Sequence, residues 1–272
     1  MRMHSFKKIL VPVDFTVNTE VAINKTLELI DDEDSEIHLL HVKKSTAFKK
    51  DAHNDLEIKL TQWKEAIEDD HPSISVHVWM NNYSSIQVMV MQKAQEINAD
   101  LIVIGQSSTH SWLPALKTVL PMRLATATHI PVLTVKPGAL KNKTKTVVVP
   151  VDGEIPEIKI QALDSLCTKT RLNIHLVTFA NDKKVLPEVS ASVLLQMFQR
   201  LKARLHCPVE YAVLNGSNRA KAILNYAEKN SADILLVYPK KETQLSWWDQ
   251  HISDVLPAHS KMQVLAVQPI TD

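Results

Sequence analysis

The segment 99–105, with the sequence ADLIVIG, limits most strongly what this chain can fold into. Its residues 101–104 form an unbroken apolar run, which is typical of a strand covered on both faces in a parallel sheet. Ligands of such sheets bind beyond the carboxyl ends of the strands. The loop that follows, 106–117, is therefore where a functional site is expected first.

The same strand returns at 232–238, ADILLVY, and other segments return with it. Matching pairs keep their order along the chain at a spacing of roughly 130–140 residues, which indicates a tandem duplication. The pairs are 8–14 with 146–152, 37–42 with 173–177, 56–67 with 194–205, 76–80 with 211–214 and 131–135 with 262–267. We predict two α/β domains, 1–138 and 145–272, joined by a polar linker and packed as a pseudo-dimer.

Helical spacing of apolar residues fills the gaps between the first-half strands. It predicts helices over 16–30, 56–67 and 86–97, and a short helix around 117–125. Strands that alternate with helices in this way predict parallel sheets with right-handed crossovers.

Composition excludes several classes of protein. The net charge of +1 gives no reason to expect a nucleic acid or an anionic membrane as partner. The two cysteines, Cys167 and Cys207, lack a CxxC spacing, so we expect no disulfide framework and a reduced, cytoplasmic location. No apolar run has the length of a signal peptide core or of a membrane span.

Glycine is scarce, and this excludes two families of phosphate-binding loop. The chain has four glycines, and no two of them are close together. GxGxxG and Walker A loops need clustered glycines, because only then can backbone N–H groups approach a phosphate. Neither loop can exist in this sequence.

Taken together, the repeated motifs resemble the universal stress protein family in its tandem form. They are ILVPVD (9–14), VVVPVD (147–152), ADLIVIG (99–105), ADILLVY (232–238) and PVLTVKP (131–137). The resemblance covers nearly the whole chain. It implies two flavodoxin-like domains, each a five-stranded parallel open sheet with helices on both faces, paired through their last strands. It also implies a cytoplasmic role in stress survival.

ATP-binding members of that family carry the motif G-x2-G-x9-G-[S/T] after the fourth strand. Gly105 matches the first position, but Ser108, Thr118 and Val119 occupy the other three. In the second half Tyr238 takes the first position, and no glycine follows it. Bulky segments, 112–114 (WLP) and 247–248 (WW), lie in the two loops instead, either packed on the sheet or exposed for a partner. We therefore expect no phosphate-cradle binding of ATP and no bound cofactor.

The resemblance nonetheless implies a candidate cofactor-binding set at the strand ends. Its members are Pro12, Val13, Asp14, Val42, Gly105, Ser108 and Asp152. Asp14 and Asp152 end their first strands, where family members place an acidic residue at the nucleotide. An equally good interpretation is that each aspartate caps the helix or turn that follows it.

Other polar residues give weaker signals. Asp100 and Asp233 precede the central strands and are predicted to cap the amino end of the sheet. His38 and His41 are three apart on a strand and point to opposite faces, so we predict no metal site. The run 107–110 (SSTH) is predicted to be a polar loop, because no GxSxG nucleophile elbow accompanies it.

These observations favour a non-enzymatic stress-response or regulatory protein that acts on a protein partner, by self-association, or on an atypical small ligand. Two alternatives stay open. One is an adenine-nucleotide binder, for ATP or AMP with Mg, whose cleft contains Asp14, Val42 and Gly105. The other is a slow ATPase or nucleotidyl-transfer enzyme of the same superfamily.

Overall fold

A computed structural model gives the arrangement of most of the chain. The described residues are 5–31, 33–44, 51–83, 85–106, 120–151, 157–179, 187–205, 207–239, 242–243, 245 and 251–269.

The first half alternates strands and helices as the sequence predicts. Its elements are β1 (Lys8–Val13), α1 (Val17–Leu29), β2 (Ser35–Lys44), α2 (Asp51–Asp70), β3 (Ile74–Tyr83), α3 (Ile86–Glu96), β4 (Leu101–Gly105), α4 (Pro121–Thr128) and β5 (Val132–Val135). The helix predicted around 117–125 begins later, with Pro121 in its first turn, and ends at His129 in the left-handed conformation. Residues 117–119 lie outside the described part of the chain.

The second half repeats the pattern. Its elements are β6 (Thr146–Pro150), α5 (Glu157–Cys167), β7 (Asn173–Phe179), α6 (Pro187–Arg204), β8 (Val209–Leu214), α7 (Arg219–Lys229), β9 (Ile234–Val237), α8 (Ile252–Val255) and β10 (Gln263–Ala266). None of the described helices is long and apolar enough to cross a membrane.

All ten strands form one continuous sheet in the order β3-β2-β1-β4-β5-β10-β9-β6-β7-β8. Every neighbouring pair is parallel except β5 and β10, which are antiparallel with Leu133 opposite Leu265. The two halves therefore meet through their last strands, and the predicted fold of two tandem five-stranded units is confirmed.

Each face of the sheet has its own apolar core, as alternation along the strands requires. One core includes Val11, Val103 and Leu236 and packs against α1, α2, α5 and α6. The other includes Leu10, Ile104 and Leu235 and packs against α3, α4, α7 and α8. Strands buried on both sides explain why the sequence shows apolar runs here and no alternation.

At the amino end of the sheet, two aspartates perform the same task in the two halves. Asp100 Oδ2 accepts hydrogen bonds from the backbone N–H groups of Lys7 and Lys8, at 3.0 and 2.8 Å. Asp233 Oδ2 accepts from Lys145 and Thr146, at 2.8 and 2.9 Å. Each carboxylate thus fixes the start of the adjacent first strand, as a cap at this end was predicted to do.

The connecting segment 138–145, predicted only as a polar linker, makes hydrogen bonds to both halves. The Asn142 side chain donates to Asp233 Oδ1 at 2.6 Å, and the Thr144 N–H donates to Glu28 Oε1 at 2.7 Å. A Cβ on Gly138 would lie 2.1 Å from the carbonyl oxygen of His259, so this position requires glycine. The domain limits 1–138 and 145–272 stay a prediction.

Candidate functional site

β1 and β4 are neighbours in the sheet, and the strand order runs in opposite directions on their two sides. β2 and β3 follow on the side of β1, and β5 follows on the side of β4. Ligands of open α/β sheets bind at such a switch point, beyond the carboxyl ends of the strands. Asp14 follows β1 and Gly105 ends β4, so the fold brings these two predicted site residues to the same crevice.

Other members of the predicted set supply apolar walls. Pro12 and Val13 are buried at the end of β1, and Val42 is buried near the end of β2. Val13 belongs to the core under α1 and α2, whereas Val42 belongs to the core under α3 and α4. Ser108, Asp152 and the tryptophan segments 112–114 and 247–248 lie outside the described residues.

The carboxylate of Asp14 is engaged by the start of α1. Its Oδ1 accepts hydrogen bonds from the Thr16 N–H at 3.0 Å, the Thr16 hydroxyl at 2.6 Å and the Thr19 hydroxyl at 2.7 Å. The Thr19 hydroxyl in turn accepts from the Asp14 N–H at 2.9 Å. These contacts are those of a turn residue, and the N-cap of α1 itself is Thr16, whose hydroxyl accepts from the Asn18 N–H. A structural role is one of the two interpretations of Asp14.

Between the aspartate and the helix, Phe15 adopts a left-handed backbone with φ of 58°. A non-glycine residue in this conformation is uncommon, and such strain occurs often at functional sites. The Phe15 ring packs against His41 at 4.7 Å and Trp63 at 5.5 Å between centroids, and the His41 ring hydrogen-bonds the Val13 carbonyl at 2.9 Å. This aromatic packing holds the strained junction in place.

Close packing against α1 explains why residue 105 is a glycine. A Cβ at this position would stand 1.9 Å from the Asn18 carbonyl oxygen, in the first turn of α1. The first helix can therefore approach the end of β4 only because residue 105 has no side chain.

Three polar atoms near the ends of β4 and β5 are buried with no hydrogen-bond partner among the described residues: Asn18 Oδ1, Gln106 Oε1 and Lys136 Nζ. Gln106 and Lys136 directly follow two paired strands, and the Gln106 N–H donates to the Val135 carbonyl at 2.9 Å. Burial lowers the pKa of Lys136 to about 8, with the charge of Asp254 acting in the opposite direction. Buried groups without partners are rare, so these three atoms make this end of the sheet a candidate place for a polar ligand.

A buried ion pair lies at the corresponding end of the second half. Lys159 Nζ lies 2.8 and 2.6 Å from the two carboxylate oxygens of Glu242 and donates to the Pro150 carbonyl at 2.7 Å. It also lies 4.2 Å from the centroid of the Tyr238 ring. The Tyr238 N–H donates to Glu242 Oε2 at 2.7 Å, so the Glu242 carboxylate lies beside the ends of β6 and β9.

The sequence analysis did not single out this pair. Lys159 is fully buried, on the same face of α5 as the buried Leu163 and Leu166. A lysine at helical spacing from two leucines was a signal, but no helix was predicted over 157–167. The partner of Lys159 also lies far along the chain and could not be assigned from spacing.

A second cluster that the sequence analysis did not find lies at the edge of the first half. Glu36 and His38 share one face of β2, and His77 is opposite His38 on β3. Glu36 Oε2 lies 3.0 Å from His38 Nε2 and 4.0 Å from His77 Nε2. These three side chains could offer ligand atoms to a metal ion.

The hydrogen bonds of His38 do not suit metal ligation. The Trp79 indole, which can only donate, donates to His38 Nδ1 at 3.1 Å. The neutral ring must then carry its proton on Nε2, the nitrogen that faces Glu36. A metal-bound histidine ordinarily donates from its second nitrogen, and Trp79 opposes that arrangement. His41 lies on the other face of the strand, as predicted, and is not part of this cluster.

Where the two halves meet, a cavity of about 40 Å³ is lined by Leu120, Pro121, Met122, Arg123, His251 and Asp254. This volume accommodates a few water molecules at most, so the cavity is not a nucleotide site.

A comparison with models of known protein families identifies the family of the first half. The model of the universal stress protein family matches residues 5–136. The first half of this chain belongs to that family. No curated protein sequence matches the chain.

Solved structures show the same tandem fold over nearly the full length. A universal stress protein from Archaeoglobus fulgidus DSM 4304 has a TM-score of 0.69 at 16% identity, with 97% of each chain covered. A protein of unknown function from Pseudomonas aeruginosa PAO1 has a TM-score of 0.56 at 17% identity, covering 98% of this chain and 94% of its own. The cytoplasmic domain of a prokaryotic cation chloride cotransporter has a TM-score of 0.57 at 13% identity, covering 96% of this chain and 95% of its own. At these identities the likeness is one of fold, and it extends the universal stress protein architecture to the second half.

Proposed function

We propose that this tandem universal stress protein is a non-enzymatic, cytoplasmic stress-response regulator that binds no ATP through a phosphate cradle. The buried Lys159–Glu242 pair is the main support. It occupies the carboxyl end of the second-half sheet, where a family ligand would be placed, and Tyr238 stands at the position of the first cradle glycine. A ligand that separated Lys159 from Glu242 would leave at least one buried charge without a partner. Breaking a buried ion pair in this way typically costs about 3–5 kcal/mol.

The first half supports the same proposal in a different way. The two residues that match a nucleotide site, Asp14 and Gly105, both have structural roles at the start of α1. Their presence therefore does not require a nucleotide. The protein would then act by contact with a protein partner or by self-association.

The first-half crevice also supports an alternative, an adenine-nucleotide site. Asn18 Oδ1 and Gln106 Oε1 are buried acceptors without donors, and an exocyclic amino group or a ribose hydroxyl supplies donors. In that case ATP or AMP, with Mg on the phosphates, would bind in the first half alone. Asp14 would then contact the nucleotide through Oδ2, because Oδ1 accepts the hydrogen bonds of Thr16 and Thr19.

Nucleotide content is the first measurement. The full chain is purified without added ligand and denatured, and the supernatant is analysed by chromatography with mass detection, while Mg-ATP and AMP are titrated by calorimetry. The proposal expects no stoichiometric nucleotide and no heat of binding. An adenine nucleotide near one per chain would overturn it and establish the alternative.

Two variants locate any binding that is found. Gln106→Leu removes the buried acceptor in the crevice, and Asp100→Asn changes a carboxylate at the opposite end of the sheet. Loss of binding in Gln106→Leu but not in Asp100→Asn would place the nucleotide in the first half. Phosphate release above background that disappears in Asp14→Ala would instead indicate an ATPase and would contradict a non-enzymatic role.

A further inference from the structure

The two cysteines of the second half face each other across the fold. Cys167 is the last residue of α5, and Cys207 lies between α6 and β8. The thiol of Cys207 donates to the sulfur of Cys167, with the two Sγ atoms 3.5 Å apart. Both residues are free thiols and are only partly buried, so small oxidants can reach them.

The contact is close enough for a covalent bond without a large rearrangement. A disulfide is about 2.05 Å long, so each sulfur would move by less than about 1 Å. Both cysteines lie outside the strands, at a helix end and in a connecting segment, where the backbone can adjust without breaking strand pairing.

The surroundings of Cys167 disfavour it as the first nucleophile of the pair. Burial raises the pKa of the Cys167 thiol, and the adjacent Cys207 thiol and the Asp164 carboxylate act in the same direction. Asp164 lies one turn earlier on α5 and is paired with Arg204. A thiol that keeps its proton at neutral pH is a poor first nucleophile, since the thiolate is the reactive form.

We propose that Cys167 and Cys207 are a reversible redox pair, which hydrogen peroxide converts to an intramolecular disulfide. The Cys207 sulfur attacks one peroxide oxygen and the O–O bond breaks. The departing hydroxide takes up the proton that the Cys207 thiol gives up, which forms the first water. Cys207 is then a sulfenic acid, oxidised by two electrons. The Cys167 sulfur attacks the Cys207 sulfur, the S–O bond breaks, and the proton of Cys167 leaves with the departing oxygen as a second water. A cellular or added dithiol reverses the reaction by thiol exchange.

The disulfide would join the end of α5 to the segment that enters β8, the edge strand of the ten-stranded sheet. The closed loop contains β7 and α6. It restricts the unfolded chain over this whole stretch, so oxidation should stabilise the second half. Disulfides that form in a reduced compartment are commonly redox-sensing.

The test uses the full chain, reduced, desalted and exposed to hydrogen peroxide. The thiol count of the intact protein should fall from two to zero, with the loss of two hydrogens in intact mass. A peptide map without reductant should show the Cys167 and Cys207 peptides joined. Tm should rise by roughly 5–10 °C and return to its starting value with dithiothreitol.

Two variants test the order of the steps. In Cys167→Ser, Cys207 should accumulate as a sulfenic acid that a dimedone probe traps. In Cys207→Ser, labelling of Cys167 should be at least about tenfold slower, which corresponds to about 1.4 kcal/mol in the barrier. Equal labelling of the two variants would overturn the assigned roles.

Three outcomes in the wild-type protein would overturn the redox pair itself. They are disulfide-linked dimers without the internal link, oxidation to sulfinic acid without any link, and thiols that survive an excess of peroxide. The peptide map of the wild-type protein decides this even if a serine variant fails to fold.

Discussion

Gly105 lies so close to Asn18 that a methyl group on the glycine would stand 1.9 Å from the asparagine carbonyl oxygen. This contact joins the end of β4 to the first turn of α1, and it explains a glycine that the family resemblance alone would assign to a phosphate cradle. The side-chain oxygen of Asn18 is also buried and has no hydrogen-bond partner among the described residues.

Gly105→Ala should therefore destabilise the protein whether or not a nucleotide binds. Because the clash is with backbone, α1 must shift away from the sheet, and we expect a loss of about 1–3 kcal/mol in the free energy of unfolding. Urea denaturation followed by circular dichroism measures it. An unchanged midpoint would mean that α1 does not pack on β4 as closely as described.

The Lys159–Glu242 pair predicts a strongly non-additive cycle. Lys159→Met leaves the Glu242 carboxylate buried without its cation and should cost about 3–5 kcal/mol. The double variant Lys159→Met with Glu242→Leu removes both charges and should recover most of that loss. Additive losses in the double variant would show that the two side chains do not interact. The exposed pair Arg200 and Glu157, 3.1 Å apart, is the matched control and should give a cycle below about 1 kcal/mol.

The elements that depend on local pattern were predictable, and those that depend on distant pairing were not. The apolar runs at 101–104 and 234–237 predict buried strands, and the duplication predicts two equivalent halves. Asp14 and Gly105 could be placed at one crevice because both end strands of a parallel sheet. Glu36, His38 and His77 meet only through the register of β2 and β3, and Lys159 meets Glu242 across a separation of 83 positions. Neither relationship follows from spacing along the chain.

Lys136 should destabilise the protein at neutral pH. Its amine is buried without a hydrogen-bond partner, and its pKa falls to about 8. Between pH 8 and about 10.5, the ordinary lysine pKa, the unfolded chain binds more protons than the folded one. Stability should therefore rise with pH across this window. Lys136→Met should raise the free energy of unfolding at pH 7 by up to about 3 kcal/mol and flatten the rise. Lys141→Met, at an exposed lysine, should change neither quantity. If Lys136→Met is less stable than wild type at pH 7, the amine has a favourable partner there.

Because of His38, the stability of the protein should fall as the pH falls below about 6.5. Burial lowers the pKa of His38 below 6.5, although the hydrogen bond with Glu36 acts in the opposite direction. A lowered pKa means that the folded state favours the neutral ring. Its contribution is fully present above pH 6.5 and is lost as the pH falls through the pKa of the folded state, because the unfolded chain then takes up the proton first. Trp79 reinforces this preference, since its indole N–H donates to a lone pair that protonation would remove.

We expect His38→Asn to be less stable than wild type at pH 7.5 and to lose less stability between pH 7 and pH 5. His129→Asn, at an exposed histidine in the left-handed conformation that asparagine tolerates, should keep the wild-type slope. Thermal unfolding at a series of pH values gives both slopes, and equal slopes for His38→Asn and wild type would remove His38 as the group responsible.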